Sequence, residues 1–231
     1  MSVDPHLAPH WPTSALITID VQRDFLSEGP FGIPGTTEVL PLLRDLTAAF
    51  RAAGRPIVHI VRLYPADGGD VDRVRRTLIE NGAEFARPGS PGRLLAPGLA
   101  PAHAPDLDDD VLLKGEPQPL GPAEFAVYKP RWGAFYRTPL AGLLDGLGVD
   151  TVVFAGCNLP NCPRASIIEA HERDLRVVLA TDAISQASAQ GFREIAGIGT
   201  VLMSTPDIST AVRERQSDAM TSGRVSPAPE R

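Results

Sequence analysis

Six short apolar runs, rich in β-branched residues, recur along the chain and alternate with segments of helical spacing. Such runs are typical of strands that are buried on both faces of a parallel sheet. They lie at residues 15–21, 56–63, 126–129, 150–156, 176–182 and 201–203. Between the first two, apolar side chains follow helical spacing from Val39 to Phe50, and Gly54 follows as a stop signal. The pattern therefore predicts an α/β fold of three αβα layers around a six-stranded parallel sheet.

Residues 64–125 interrupt this alternation. They are rich in proline and glycine, contain an acidic run at 106–110, and include one predicted helix near 71–80. A long, poorly patterned insertion in a compact domain is usually either functional or disordered. We expect a single domain at residues 14–216, in which the insertion 64–125 is a lid or subunit contact, or is disordered in its proline-rich parts. Residues 1–13 are expected to be flexible, and the Ser- and Pro-rich residues 217–231 to be disordered.

The charge of the chain argues against nucleic acid as a partner. The formal net charge is −6, whereas nucleic-acid binding requires clustered lysines and arginines. No apolar run reaches the roughly 18 residues that span a bilayer, and the N-terminus lacks the basic start and apolar stretch of a signal peptide. We therefore expect a cytoplasmic protein that binds neither nucleic acid nor membrane.

Both cysteines of the chain, Cys157 and Cys162, lie in the turn after the fourth apolar run. This arrangement suits neither a disulfide framework nor a four-ligand zinc site. Cys162 falls where a strand leads into a helix, and the helix N-terminus there favours the thiolate form. Asn161 is a suitable N-cap, and Pro163 is tolerated in the first turn. We interpret Cys162 as a nucleophile and Cys157, which adjoins the strand, as a small buried apolar residue.

A thiol nucleophile needs a base, and no histidine is placed to serve as one. His59 falls in the middle of a predicted strand, and His171 lies beyond the first turns of the helix after Cys162. Asp20 and Lys129, in contrast, both end predicted strands at the edge of the sheet where ligands bind. Alone, such an aspartate is commonly a turn residue and such a lysine a solvated one. Their joint placement with Cys162 favours a carboxylate base and a lysine that keeps it ionised.

Three separated stretches carry further motifs. Leu16-Ile-Thr-Ile-Asp-Val-Gln-Arg-Asp-Phe25 contains Asp-x-Gln-x-x-Phe, and Tyr128-Lys-Pro-Arg-Trp-Gly-Ala-Phe-Tyr-Arg-Thr-Pro-Leu140 contains Lys-x-x-x-x-x-Phe ahead of Thr-x-Leu. The third is the cysteine turn from Gly156 to Ser166, with an Asp-Ala segment at 181–185 beyond it. Together they resemble the isochorismatase-like cysteine hydrolases, which include nicotinamidases and N-carbamoylsarcosine, ureidoacrylate and biuret hydrolases. The resemblance covers residues 14–210.

The resemblance implies roles for the residues of these motifs. Cys162 corresponds to the nucleophile, Asp20 to the general base and Lys129 to the third member of a catalytic triad. A non-proline cis peptide maps to Cys157–Asn158, and the N–H groups of Asn158 and Cys162 map to an oxyanion hole. The family also implies a homodimer or homotetramer.

The resemblance also implies a substrate pocket. Phe25 corresponds to a wall of that pocket, and Gln22 to a support for the loop of Asp20. Other candidates follow from residue type, since an arginine can hold a carboxylate in a bidentate fork and aromatic rings can line a pocket. These substrate-binding candidates are Arg62, Arg131, Trp132 and Tyr136. For Phe135, packing in the core is an equally good interpretation.

The implied activity is hydrolysis of a small non-peptide amide, ureide or carbamoyl C–N bond through a thioester, with no cofactor and no metal. Nicotinamidases of this family carry an Asp-x-His metal site after the second strand, where this chain reads Val-Arg-Leu-Tyr-Pro-Ala at 61–66. The missing histidine argues against a metal-dependent nicotinamidase. True isochorismatases cleave a vinyl ether and lack the cysteine, so Cys162 favours amide chemistry over theirs. A nicotinamidase-type or isochorismatase-type activity is kept as an alternative.

Two alternatives belong to other functional classes. A protein with this fold can be a catalytically silent binding protein, because a fold alone never establishes activity. The pair Cys157 and Cys162 could also serve redox chemistry, although the four-residue spacer and the Asp20 and Lys129 partners disfavour it.

Overall fold

Seven strands form one central sheet in the computed structural model, which describes residues 4–65, 67–68 and 70–222, the last eight by their backbone alone. The strands are β1 (Ser14–Ile19), β2 (Ile57–Val61), β3 (Gln118–Gly121), β4 (Glu124–Tyr128), β5 (Thr151–Gly156), β6 (Arg176–Ile184) and β7 (Val201–Met203). Their order across the sheet is β3-β4-β2-β1-β5-β6-β7. Every neighbouring pair is parallel except β3 and β4, which are antiparallel.

The predicted three-layer α/β fold is confirmed, but the count of six strands is wrong by one. The six predicted strands are all present, and β3 adds an antiparallel edge strand from within the insertion. Its sequence, Gln-Pro-Leu-Gly, has no β-branched residue and carries a proline, so neither propensity nor pattern indicates a strand. Pairing with β4 through a tight connection defines it instead.

Helices cover both faces of the sheet. They are α1 (Leu40–Ala52), α2 (Arg73–Glu80), α3 (Asp109–Leu113), α4 (Leu140–Gly146), α5 (Cys162–His171), α6 (Ala189–Gly197) and α7 (Thr205–Ser222). Along β1, Leu16 packs into a core with α1 and α7, whereas Ile17 packs into a second core with α4, α5 and α6. This alternation is the period of two that a strand imposes on its side chains, and it places the sheet between two apolar layers. Within the described residues, no helix is both long and apolar enough to cross a membrane.

The insertion is packed onto the domain along most of its length. Its residues Phe85 and Val71 form a third apolar cluster with Phe25 and Tyr64 above the carboxyl ends of the strands. Phe85 stacks on Phe31 with ring centroids 3.8 Å apart. Helix α2 lies where the sequence predicts a helix, but none of its side chains is buried. The insertion therefore combines a well-packed base with a helix that is held by few apolar contacts.

Both ends of the chain differ from the sequence-based expectation. A 3₁₀ helix at Trp11–Thr13 packs Trp11 into the core, so the flexible segment predicted at residues 1–13 does not extend to that point. At the other end, the backbone of α7 continues to Ser222, past residue 217, where disorder was predicted. Residues 1–3 and 223–231 lie outside the described part of the chain.

A charged network crosses the sheet interior away from its carboxyl edge. The buried imidazole of His59 joins Thr18 Oγ1 at 2.7 Å and Glu124 Oε1 at 2.7 Å. Arg51 completes the network by donating two 2.7 Å hydrogen bonds to the Glu124 carboxylate. Burial raises the pKa of Glu124, but the hydrogen bonds from Arg51 and His59 outweigh burial and hold that pKa below its ordinary value of 4.5. The network explains why a histidine in the middle of a strand is satisfied without a catalytic role.

We expect Glu124→Gln to reduce the free energy of unfolding at neutral pH by about 2 kcal/mol, the scale of a lost hydrogen bond to a charged group. Because folding lowers the pKa of Glu124, the ionised carboxylate stabilises the folded state above pH 4.5, and this stabilisation is lost as the pH falls below that value. Urea unfolding of wild type and variant should therefore show a difference in the free energy of unfolding that is smaller at pH 4 than at pH 7. Glu194→Gln, which removes the exposed partner of Arg164, is the control and should leave stability unchanged. A gap that is equal at both pH values would contradict the assignment.

Candidate active site

The four central strands each place a polar or nucleophilic side chain immediately beyond their carboxyl end. Asp20 follows β1, Arg62 follows β2, Lys129 follows β4 and Cys157 follows β5. Because these strands are parallel neighbours, all four residues meet at one edge of the sheet. This edge is the ligand-binding position of open α/β sheets.

Asp20, Lys129 and Cys162 lie in mutual contact at this edge. Lys129 Nζ is 2.9 Å from Asp20 Oδ2 and 3.3 Å from Cys162 Sγ. The lysine side chain is fully buried, and its ammonium also lies 3.3 Å from the Arg131 carbonyl oxygen. A buried ammonium is costly unless it is paired, so these contacts hold Lys129 in one position. The three residues chosen from separate parts of the sequence are therefore brought together.

The backbone around Asp20 aims its carboxylate into the site. Asp20 has φ of 54°, a left-handed conformation that aspartate tolerates better than most residues, and it turns the chain as β1 ends. Oδ2 is taken by Lys129, while Oδ1 is buried and accepts no hydrogen bond from the described residues. Gly156 lies against this turn, where a Cβ would overlap the carbonyl oxygen of Ile19. Asp20 thus offers one free carboxylate oxygen, which is the atom that a general base requires.

Cys162 is the first residue of α5 and is 9% exposed. Ser166 anchors this end of the helix, because its hydroxyl donates to the Cys162 carbonyl at 2.7 Å and accepts from the Ala134 N–H at 3.0 Å. Asn161 precedes the helix as predicted, but its side chain makes no capping bond and donates to Asn158 Oδ1 instead.

The ionisation of Cys162 depends on more than the helix N-terminus, which favours a thiolate. Burial and the negative charge of Asp20 raise the pKa of Cys162 to about 12, and the opposing charge of Lys129 only partly offsets them. Attack by Cys162 therefore requires a base to take its proton, which is the role predicted for Asp20.

The turn before α5 contains the cis peptide that the resemblance implied, between Cys157 and Asn158. Asn158 is buried, and its side-chain amide donates to Gln186 Oε1 at 2.5 Å. Neither the Asn158 N–H nor the Cys162 N–H donates to a protein acceptor within the described residues. Two free N–H groups beside the sulfur are what an oxyanion hole requires.

A cavity of about 20 Å³ opens onto these atoms, which is room for one water molecule. Of the predicted substrate-contact residues, Phe25, Arg62 and Trp132 line it, and Asn158 does so as well. Tyr136 does not, because it is half exposed and lies in an outer cleft that Trp132 separates from the cavity. A substrate larger than water therefore requires the cavity to widen.

Arg62 lines the cavity, but its guanidinium already donates hydrogen bonds to groups of the protein. Its guanidinium donates to the carbonyls of Lys129 at 2.8 Å and Arg131 at 3.3 Å, to Asp72 Oδ1 at 3.2 Å and to the Tyr64 hydroxyl at 3.2 Å. Burial lowers the pKa of Arg62, but the charges of Tyr64, Asp72 and Asp20 outweigh burial and raise it. The predicted bidentate fork for a substrate is therefore used by the protein itself, and Arg62 organises the wall of the cavity.

Other predicted contacts fall outside the cavity. Arg131 forms an ion pair with Asp70 at 3.1 Å. Phe135 packs in the core and lies under the guanidinium of Arg173, as its alternative interpretation suggested. Gln22 is buried and exchanges hydrogen bonds with the backbone of Arg62, which ties the loop of Asp20 to β2.

Four residues of the cavity wall were not predicted to contact a substrate: Ile33, Tyr64, Arg75 and Cys157. Tyr64 follows a predicted strand end closely and could have been proposed on that ground. Arg75 is one of three arginines in a predicted helix, and no sequence signal selects it. Its position depends on how the insertion folds back over the sheet edge.

The site does not offer the donors of a metal centre. Within the described residues, no three His, Cys, Asp or Glu side chains are grouped so that they could hold an ion. Where a metal-binding relative would place ligands after β2, this chain places the Arg62 guanidinium, which repels a cation.

Comparison with known proteins agrees with this architecture. Residues 14–207 match the model of the isochorismatase domain. Maleamate amidohydrolase of Pseudomonas putida is 31% identical over 178 residues, which are 74% of this chain and 71% of that protein. An Arabidopsis thaliana protein named probable inactive nicotinamidase is 26% identical over 186 residues, 80% of this chain and 86% of its own.

A solved structure shows the same fold at a similar level of identity. The isochorismatase family protein from Desulfovibrio vulgaris is 29% identical, with a TM-score of 0.73 over 87% of this chain and 98% of that one. Because the domain model spans most of the sequence and this structure matches along nearly its whole length, the chain belongs to the isochorismatase domain family.

Proposed function

We propose that this protein hydrolyses a small non-peptide amide, ureide or carbamoyl C–N bond, with Cys162 as the nucleophile. The single observation that carries the proposal is the contact of Lys129 Nζ with both Asp20 Oδ2 and Cys162 Sγ in a buried site. A carboxylate, a cation and a thiol in contact form the minimum set for thioester chemistry. Relatives named as amidohydrolases support the same reaction class.

Acylation begins with transfer of the thiol proton to Asp20, whose Oδ1 has no other partner among the described residues. The sulfur attacks the carbonyl carbon, and the N–H groups of Asn158 and Cys162 stabilise the oxyanion that forms. Lys129 stabilises negative charge on the sulfur and forms an ion pair with the Asp20 carboxylate. As the C–N bond breaks, Asp20 returns the proton to the leaving nitrogen, which departs as ammonia or an amine.

Deacylation repeats the sequence with water. Asp20 takes a proton from the water, whose oxygen attacks the thioester carbonyl, and the same two N–H groups stabilise the second oxyanion. The proton then returns to the Cys162 sulfur as the C–S bond breaks, which restores the thiol. Because burial and the charge of Asp20 raise the pKa of Cys162 to about 12, attack by its sulfur depends on a base that takes the proton.

A catalytically silent protein is the second candidate, and one observation favours it. The cavity above Cys162 holds about 20 Å³, which is too small for an amide unless its wall moves. A relative named probable inactive nicotinamidase also belongs to this group of sequences. The two candidates differ in whether Cys162 turns over any small amide.

Ammonia release from a panel of small amides, ureides and carbamoyl compounds distinguishes them. We expect turnover of at least one class, and we expect iodoacetamide treatment to abolish it in parallel with carbamidomethylation of Cys162. If the panel is silent and Cys162 is also inert to iodoacetamide, the silent binding protein is the better description. If the panel is silent but Cys162 is alkylated, the proposal of a nucleophile stands and the substrate range is wrong.

A further inference from the structure

Two arginines line the cavity over Cys162, and only one of them is engaged by the protein. Arg62 is held by four protein groups, as described above. Arg75 reaches the same cavity from α2, and within the described residues its guanidinium donates no hydrogen bond. Its nearest carboxylate oxygen is Asp72 Oδ2, at 4.0 Å from Nε. Arg75 therefore carries hydrogen-bond donors that no acceptor among the described residues uses.

Asp72 pairs with Arg75 only at long range, because the 4.0 Å between Asp72 Oδ2 and Arg75 Nε exceeds a hydrogen-bond distance and both carboxylate oxygens accept shorter bonds from other donors. Oδ1 accepts from Arg62 at 3.2 Å and Oδ2 from the Trp132 indole at 3.2 Å. The Asp72 side chain is buried, so bulk water does not compete for these hydrogen bonds. The Arg75 guanidinium lies over the Phe31 ring at 5.4 Å, which leaves its donor edge free.

The charge around the cavity also favours an anion. The cavity wall and the residues directly behind it hold the cations Arg62, Arg75 and Lys129 but only the carboxylates Asp20 and Asp72. This excess of positive charge stands out in a chain whose formal net charge is −6. Arg62 and Arg75 share the single carboxylate of Asp72, so an anionic ligand would balance the remaining positive charge.

We propose that Arg75 binds a carboxylate of the substrate, so that the preferred substrates are amides or ureides that carry a carboxylate. The inference rests on the proposed hydrolase function for the reaction, but the anion site can be tested separately. A guanidinium binds a carboxylate through two parallel N–H donors, which gives both affinity and orientation. With its carboxylate at Arg75, a short substrate would extend across the cavity toward Cys162, on the same cavity wall.

Because Arg75 lies on α2, its contact with a substrate carboxylate would affect how a substrate enters the cavity. None of the side chains of α2 is buried, so the helix can move without exposing a core. The cavity must widen to admit a substrate, and a carboxylate bound to Arg75 would draw α2 back over the site. Neutral amides would lack this interaction and would bind with the helix less firmly placed.

Two matched substrate pairs test the specificity. Succinamate and butyramide differ in a terminal carboxylate, as do N-carbamoylglycine and N-ethylurea. For wild type we expect a higher kcat/KM on the anionic member. Arg75→Gln should raise KM for that member by about tenfold or more, the low end for a lost charge-assisted bond, and should change KM for the neutral member much less. Arg75→Lys should recover part of the loss.

Arg76→Gln is the matched control, because Arg76 lies on the same helix, does not line the cavity and, in the part of the chain that the structure describes, donates to the Val71 carbonyl alone. It should change neither substrate. Equal losses for the anionic and neutral members in Arg75→Gln, or equal effects of Arg75→Gln and Arg76→Gln, would overturn the proposal.

A binding measurement separates this inference from the proposed reaction. Calorimetry of succinamate with the Cys162→Ala protein needs no turnover, and we expect binding that falls by about tenfold or more when Arg75→Gln is added. If that pattern holds while wild type releases no ammonia, the hydrolase proposal fails and the anion site stands. If wild type turns over amides but succinamate binds no better than butyramide, or does not bind, the anion site fails and the hydrolase stands.

Discussion

Replacing Cys162 with alanine is expected to reduce ammonia release by about 10⁴-fold or more, because removal of a covalent nucleophile leaves only binding and oxyanion stabilisation. Cys162 Sγ is the atom that contacts Lys129 beside Asp20, and no other thiol in the described residues has that contact. Initial rates of wild type and variant on the most active member of the amide panel provide the measurement. Circular dichroism should show that the variant is folded, since a sulfur is exchanged for a hydrogen at a partly accessible site.

Cys157→Ala is the matched control for this result. Cys157 lies in the same turn and is 1% exposed, but its sulfur lies 3.6 Å from the Asp20 carbonyl oxygen rather than in contact with the lysine. Burial raises the pKa of Cys157 well above its ordinary value, as it does for Cys162, so the contact with Lys129 is what distinguishes the two thiols. The variant should retain most of its activity. Equal losses in the two variants would contradict the role of Cys162 and would reopen a function that uses both thiols.

Replacing Asp20 with asparagine is expected to lower kcat by about 10²–10⁴-fold, the contribution of a positioned general base. Asparagine keeps the size of the side chain but cannot take the proton of a thiol whose pKa is about 12. The cost to stability should be visible as well, because Lys129 is fully buried and loses its carboxylate partner. Kinetics and thermal unfolding of the purified variant measure the two effects separately.

The same variant should change the reactivity of Cys162 in the opposite direction. The charge of Asp20 raises the pKa of the thiol, whereas Lys129 lowers it. Without the aspartate charge, burial still raises the pKa of Cys162, but the charge of Lys129 offsets burial more fully, so that pKa should fall. The alkylation rate rises as the thiol ionises. The pH at which alkylation by iodoacetamide becomes fast should therefore be lower in Asp20→Asn than in wild type, although hydrolysis is impaired.

This combination distinguishes a base from a structural residue. A general loss of structure would lower hydrolysis and make alkylation nonspecific, with Cys157 modified at a similar rate. Retained hydrolysis would remove Asp20 from the role of base. An alkylation profile that is unchanged from wild type would show that the Asp20 charge does not control the thiol.

Much of the candidate site was accessible from the sequence because strand ends are local signals. Asp20 and Lys129 follow short apolar runs, and Cys162 begins a helix after another. In a parallel sheet such positions share one edge, so residues far apart in sequence can be predicted to meet. Their contact is observed, while their catalytic roles are the subject of the variants above. The cis peptide at Cys157–Asn158 followed from the family resemblance.

The substrate contacts were predicted less well, since residue type does not reveal whether a donor is free. Arg62 was selected as a carboxylate ligand, but four protein groups occupy its guanidinium. Arg75 is the arginine with unused donors, and nothing in its helix distinguishes it from Arg73 or Arg76. Tyr136 was selected for its aromatic ring and lies in the outer cleft instead. Each of these outcomes depends on contacts between segments that are distant in sequence.

The sequence by itself determined the three-layer fold, because apolar runs of strand length alternate with helical spacing and a right-handed crossover leaves one compact arrangement. It also determined which edge of the sheet carries Asp20, Lys129 and Cys162. Only the tertiary structure decided the charge state of the thiol, since burial and the nearby Asp20 outweigh the local effect of the helix N-terminus. It likewise decided the edge strand β3 and the placement of Arg75, because the insertion follows no periodic pattern and takes its form from the surface on which it packs.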